Sequence, residues 1–133
     1  MFRFGSPRIF GVRPSDMTER EIESMVEEQV SMNSLTWKAF LGHGVKNGQQ
    51  LALDFRYCLS DRDRAEVLKE ALKAEMGYET AVESRKHFEG EWIVKGNTEK
   101  MTLTLEILDQ WVEDVIRLGG RNNAPFHGWG IHS

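Results

Sequence analysis

Four histidines, His43, His87, His127 and His132, and the lone cysteine Cys58 are the side chains of this 133-residue sequence best suited to metal binding, proton transfer or nucleophilic attack. A helical metal site of the usual kind needs two histidines four residues apart beside a carboxylate, and none of the four stands in that relation. His127 and His132 share the last segment, but five residues apart on a regular strand they point to opposite faces. Cys58 ends an alternating run on the face opposite Leu53 and Phe55, and nothing near it in sequence activates a thiolate. It reads as a structural thiol. The segment Gly42-His43-Gly44-Val45-Lys46-Asn47-Gly48 lacks both the spacing and the Lys-Ser/Thr pair of a phosphate loop. Carboxylates between 61 and 75 alternate with Arg62, Arg64, Lys69 and Lys73, the pattern of a solvated helix face. No catalytic residue, metal ligand or cofactor is therefore expected. An enzyme built on His43, His127 and Cys58 stands as an alternative reading, and metal analysis would test its metal form.

The elements that position these residues follow from periodicity. Thr18-Glu19-Arg20-Glu21 is a capping box, and Ile22, Met25, Val26, Gln29 and Val30 continue at helical spacing, so a helix is expected over 19–32. Asn33-Ser34 should interrupt it, with Ser34 capping a short second helix through Leu35, Trp37, Phe40 and Leu41 that Gly42-His43-Gly44 stops. Leu51, Leu53, Phe55 and Tyr57 alternate along one face of a half-buried strand. Ser60 is the expected cap of a helix whose apolar stripe is Ala65, Leu68, Leu72 and Met76, and Gly77 ends it. A second strand spans 78–83. A third opens at Trp92-Ile93-Val94 and resumes, after a bend at Gly96-Asn97, near Met101 to Leu103. Thr104 caps a last helix with a stripe of Leu105, Leu108, Trp111, Val112, Val115 and Leu118, which Gly119-Gly120 should end. Residues 123–131 then leave room for one final strand, in which Trp129 lies between two glycines.

From residue 51 the order is strand, helix, strand, strand, helix, strand. That order is the α+β, ferredoxin-like split βαβ arrangement (βαββαβ), an antiparallel sheet with two helices on one face. Right-handed crossovers put the first and third strands at the centre and the last on an edge beside the first. Residues 1–50 form an arm and helical extension, and 51–133 the ferredoxin-like domain, together one compact unit. A hydrophobic share of 40% and a charged share of 29% are those of an ordinary globular protein, and no apolar run approaches the length of a membrane span. A single cysteine fits a reducing cytoplasm.

Charge is unevenly placed. Arg3, Arg8 and Arg13 lie in a first segment without acids, which also carries Phe2, Phe4 and Phe10. Asp16, Glu19, Glu21, Glu23, Glu27 and Glu28 follow, opposed only by Arg20. With a net charge of −4, direct nucleic-acid binding is not expected, because that affinity rests on neutralising phosphates. Phe55, Tyr57, Trp92 and Trp129 all fall on strands. Facing the helices they are core; on the open side of the sheet they would be a stacking platform for single-stranded RNA, an alternative function.

Two stretches resemble a known family. Phe55 to Val82, with Leu59-Ser60-Asp61 at the helix start and Met76-Gly77-Tyr78-Glu79 at its exit, is similar to the RraB family, regulators of ribonuclease E activity. So is Thr104 to Val112 followed by Phe126-His127-Gly128-Trp129-Gly130, where the family carries an aromatic-acidic-Gly-Trp run. The resemblance covers about residues 51–131 and is to a divergent member, with His127 at the acidic position and none of the family's acidic C-terminal tail after Ile131. It implies a ferredoxin-like fold and a non-enzymatic role: binding a protein partner, a ribonuclease, and modulating RNA turnover. On that reading Glu19, Glu23, Glu27 and Glu28 attract a basic surface, and Trp37 and Trp129 anchor the contact. The unpaired edge of the final strand leaves a homodimer open as well.

Overall fold

The computed structural model describes residues 17–132, and the aromatic, arginine-bearing arm at 1–14 lies outside them. Three helices, α1 (Glu19–Gly42), α2 (Arg62–Met76) and α3 (Leu105–Arg121), combine with six strands. These are β1 (Gln49–Leu51), β2 (Leu53–Leu59), β3 (Thr80–Ser84), β4 (Trp92–Asn97), β5 (Met101–Leu103) and β6 (Phe126–Ile131). The chain is α+β. Its main sheet is antiparallel in the order β3-β4-β2-β6, so β2 and β4 are central and β6 is an edge beside β2, as the crossover argument requires.

Alternation along β2 decides which side of the sheet is buried. Leu53, Phe55, Tyr57 and Leu59 are buried while Asp54 and Arg56 are exposed. Phe55 meets Trp111 of α3 edge-on, and the Tyr57 hydroxyl donates to the Val115 carbonyl at 2.6 Å. Burial raises the pKa of that phenol strongly, so it remains a neutral donor. From α2 the core receives Ala65, Leu68 and Leu72, and from α3 Leu108, Val112, Val115 and Ile116. Gly77 closes α2 in the left-handed conformation, φ +75°, with its amide bonded back to the Lys73 carbonyl.

Four local expectations are corrected. Instead of stopping near Met32, α1 continues as one 24-residue helix, because Asn33 has partners in the tertiary structure rather than turning back on its own backbone. The cap of α2 is Asp61, not Ser60: its carboxylate accepts from the Asp63 and Arg64 amides and adds a charge at the positive end of the helix. Gly119-Gly120 does not end α3. Both residues are buried inside the helix, where a Cβ on Gly119 would lie 2.5 Å from the Tyr57 ring and one on Gly120 2.5 Å from Ile22. They are contact glycines, one against the sheet and one against α1. Lastly, β4 and β5 are not one bent strand. Buried Thr98 takes the Leu53 amide on its hydroxyl and donates its own amide to the Leu53 carbonyl, turning the chain out of the main sheet. β5 then pairs with β1 in a separate two-stranded ladder, Gln49 opposite Leu103. A domain boundary at residue 50 would cut through β1.

Candidate functional site

The residues with the most obvious chemistry are not brought together. His43 caps the end of α1, His87 sits in a turn at φ +69°, and both are exposed. Among the described residues no three His, Cys, Asp or Glu side chains are placed to share a metal ion. Cys58 has its own surroundings: its Sγ is 3.5 Å from Glu91 Oε1 and 3.6 Å from Arg85 Nη1, which are themselves paired at 2.9 Å. Burial first, and then the Glu91 carboxylate, raise the thiol pKa, with Arg85 only partly opposing them. We expect Cys58 in the folded protein to be alkylated by iodoacetamide at pH 8 several-fold more slowly than glutathione. A faster reaction would contradict this environment.

The acidic helix keeps its charge outward. Thr18 and Glu21 form the reciprocal capping box, at 3.1 and 2.9 Å. Glu23 is bonded to Arg117 of α3 in a surface ion pair, so one of the four expected contact carboxylates already has a partner within the molecule. Glu19, Glu27 and Glu28 are exposed and have no partner among the described residues. Below them Met32 is 52% and Leu35 70% exposed, unusual for such side chains on a helix that also has a well-buried face. Glu28, Met32 and Leu35 stand at i, i+4 and i+7 and so form one stripe.

The two tryptophans expected to anchor a partner are occupied. Trp37 is buried at 4% exposure in the core between α1 and the body, and cannot reach a partner's surface. Trp129 is half-buried, donates its indole N–H to Asn33 Oδ1 at 3.0 Å and packs against Phe40. The other strand aromatics also turn to the helices: Phe55 and Tyr57 are core, and Trp92 lies under the Arg62 guanidinium of α2 at 5.2 Å. The core reading of these rings holds. No Phe, Tyr or Trp ring of β2, β3, β4 or β6 is turned to the open face, so the four aromatics on which the RNA-stacking alternative rested are taken up on the helix side.

What the open face does carry is polar. Across the sheet, Ala81, Lys95, Arg56 and Gly128 lie in register, and beside them Asn97, Asp54 and Gly130. They line an open groove of about 890 Å³ that also includes His127 and His132. His132 Nδ1 is 2.6 Å from Asp54 Oδ1. Both histidines reach this groove because β6 is irregular: Phe126 pairs with Tyr57 and Gly128 with Arg56, leaving His127 as an extra, bulged residue. The five-residue spacing therefore does not send them to opposite faces.

No family model matches the chain, and no curated protein matches it. Sequence reasoning reached the acidic stripe through its charge block. It missed the groove, although the signal was present: Asp54 and Arg56 are the polar half of the same alternation that placed Leu53, Phe55 and Tyr57 in the core.

Proposed function

We propose that this protein is a non-enzymatic, RraB-like regulator that acts by binding another protein, a ribonuclease of the ribonuclease E type, and so adjusts RNA turnover in the cytoplasm. The antiparallel β3-β4-β2-β6 sheet supports reading the main body as a ferredoxin-like split βαβ domain, with β1 and β5 as an added ladder. Among the described residues no helix is long and apolar enough to cross a membrane.

One observation carries the proposal: the outward stripe of α1, where Glu27 and Glu28, unpaired among the described residues, adjoin exposed Met32 and Leu35 on a helix fixed by its opposite face. The carboxylates supply steering toward a basic surface, and the apolar pair supplies the contact that excludes water. Met32 and Leu35 thus take the anchoring role expected of Trp37. The capped helix is held against α3 through Asn33, so the stripe is presented without an ordering cost.

The test is titration of a purified ribonuclease E-type enzyme with this protein, reading both binding and RNA cleavage. The native chain is expected to bind and to change the cleavage rate. The charge-reversed variant E27K/E28K should weaken binding about tenfold at low salt and much less at high salt. Leu35→Asp should weaken it at either. A native chain that neither binds nor alters cleavage refutes the ribonuclease reading, and full binding by both variants refutes this surface.

A further inference from the structure

The groove on the open sheet face points to a second, separate site. Arg56 stands directly opposite Lys95 on the neighbouring strand, and like charges in that relation oppose pairing unless something neutralises them. Glu83 answers Lys95, Nζ to Oε1 at 3.0 Å, whereas the Arg56 side chain has no partner among the described residues. On its other side Arg56 faces Gly128, and Asp54 faces Gly130. These two glycines leave a strip of bare backbone beside the cation.

Gly128 has a conformational reason to be glycine, φ +156°, but Gly130 has none: its φ is ordinary and a Cβ there would meet nothing within 4 Å. Neither strain nor packing within the described residues calls for glycine at 130. A glycine inside a strand often marks the close approach of something from outside. The groove volume of about 890 Å³ is that of a small-molecule site.

We propose that this face binds a small organic phosphate carrying a flat ring, the chemistry of a nucleoside monophosphate. Its dianionic phosphate is held by Arg56, which has no carboxylate partner among the described residues, with Lys95 shared between the phosphate and Glu83. Its ring lies flat on the Gly128–Gly130 backbone, within reach of Asn97, Asp54 and His132 for hydrogen bonds to the ring edge. The site is on the opposite face of the sheet from the helices and does not depend on the ribonuclease reading.

Calorimetric titration of the full chain with AMP, GMP, CMP and UMP, and separately with inorganic phosphate, tests it. At least one nucleotide should bind saturably and about tenfold more tightly than phosphate alone. Arg56→Gln should weaken both ligands about tenfold. Gly130→Val should weaken the nucleotide while sparing phosphate, and since its side chain enters open space, circular dichroism should show an unchanged fold. The proposal is overturned if none of the four nucleotides binds, if phosphate binds as well as they do, or if Arg56→Gln leaves nucleotide affinity intact.

Discussion

Gly119→Ala is expected to lower the unfolding free energy by about 3 kcal/mol, enough to reduce the melting temperature by about 10 °C. The added methyl would sit 2.5 Å from Tyr57 Cε2 and 2.7 Å from the Ala124 carbonyl oxygen, closer than real Cβ contacts allow. Neither neighbour can retreat cheaply. The Tyr57 ring is wholly buried, packs edge-on against Phe126 and is tied at its hydroxyl to α3 itself. Ala124 is fixed too, its amide bonded to the Gly119 carbonyl at 2.8 Å in the turn that leads into β6. Strain at Gly119 therefore reaches the helix, the central strand and the start of the edge strand together. Thermal unfolding followed by circular dichroism is the measurement. A control in Tyr57→Leu, which withdraws the ring edge, should show a smaller penalty for the same alanine, leaving mainly the Ala124 contact. A Gly119→Ala protein as stable as the parent would mean that α3 does not approach β2 this closely.

Gly119 also shows why part of the fold was legible in sequence and part was not. Two adjacent glycines after an amphipathic stripe have the form of a helix stop, and local chemistry cannot distinguish a stop from a contact. The distinction lies in Tyr57, more than sixty positions earlier, and only the packed structure joins them. The same holds at Asn33-Ser34, where a polar pair with turn propensity stays helical because its partners are distant. Features whose causes are local were read correctly: the Thr18–Glu21 capping box, the Thr104 cap, the left-handed Gly77 and the alternation of β2. The candidate sites divide in the same way. A charge block is a local property and was visible; the groove depends on cross-strand register and on the bulge at His127, which periodicity does not specify.

Asn33→Ala is expected to cost about 2–4 kcal/mol, and to do so unevenly across the molecule. Asn33 is a fully buried polar residue, and its side chain joins three elements: Nδ2 donates to Asp109 of α3 at 2.9 Å, and Oδ1 accepts from the Trp129 indole of β6 at 3.0 Å. Truncation leaves a carboxylate and an indole N–H facing a gap, and unmade bonds of this kind are costlier than the bonds were favourable. Hydrogen exchange should show the loss concentrated in the second half of α1, around Trp37 and Phe40, with α2 protected as before. Asn33→Asp separates the two bonds: it keeps an acceptor for Trp129 but sets a second carboxylate against Asp109. The crowding raises the folded-state pKa of the introduced carboxyl above its unfolded value, so its stability falls as pH rises through the carboxylate range. Equal exchange in α1 of the parent and Asn33→Ala would rule out this residue as the clamp. Because α1 carries Glu27, Glu28, Met32 and Leu35, the proposed docking stripe would also lose its fixed presentation, so under the proposed function a loosened helix should bind a ribonuclease E-type partner more weakly although none of those four side chains has changed.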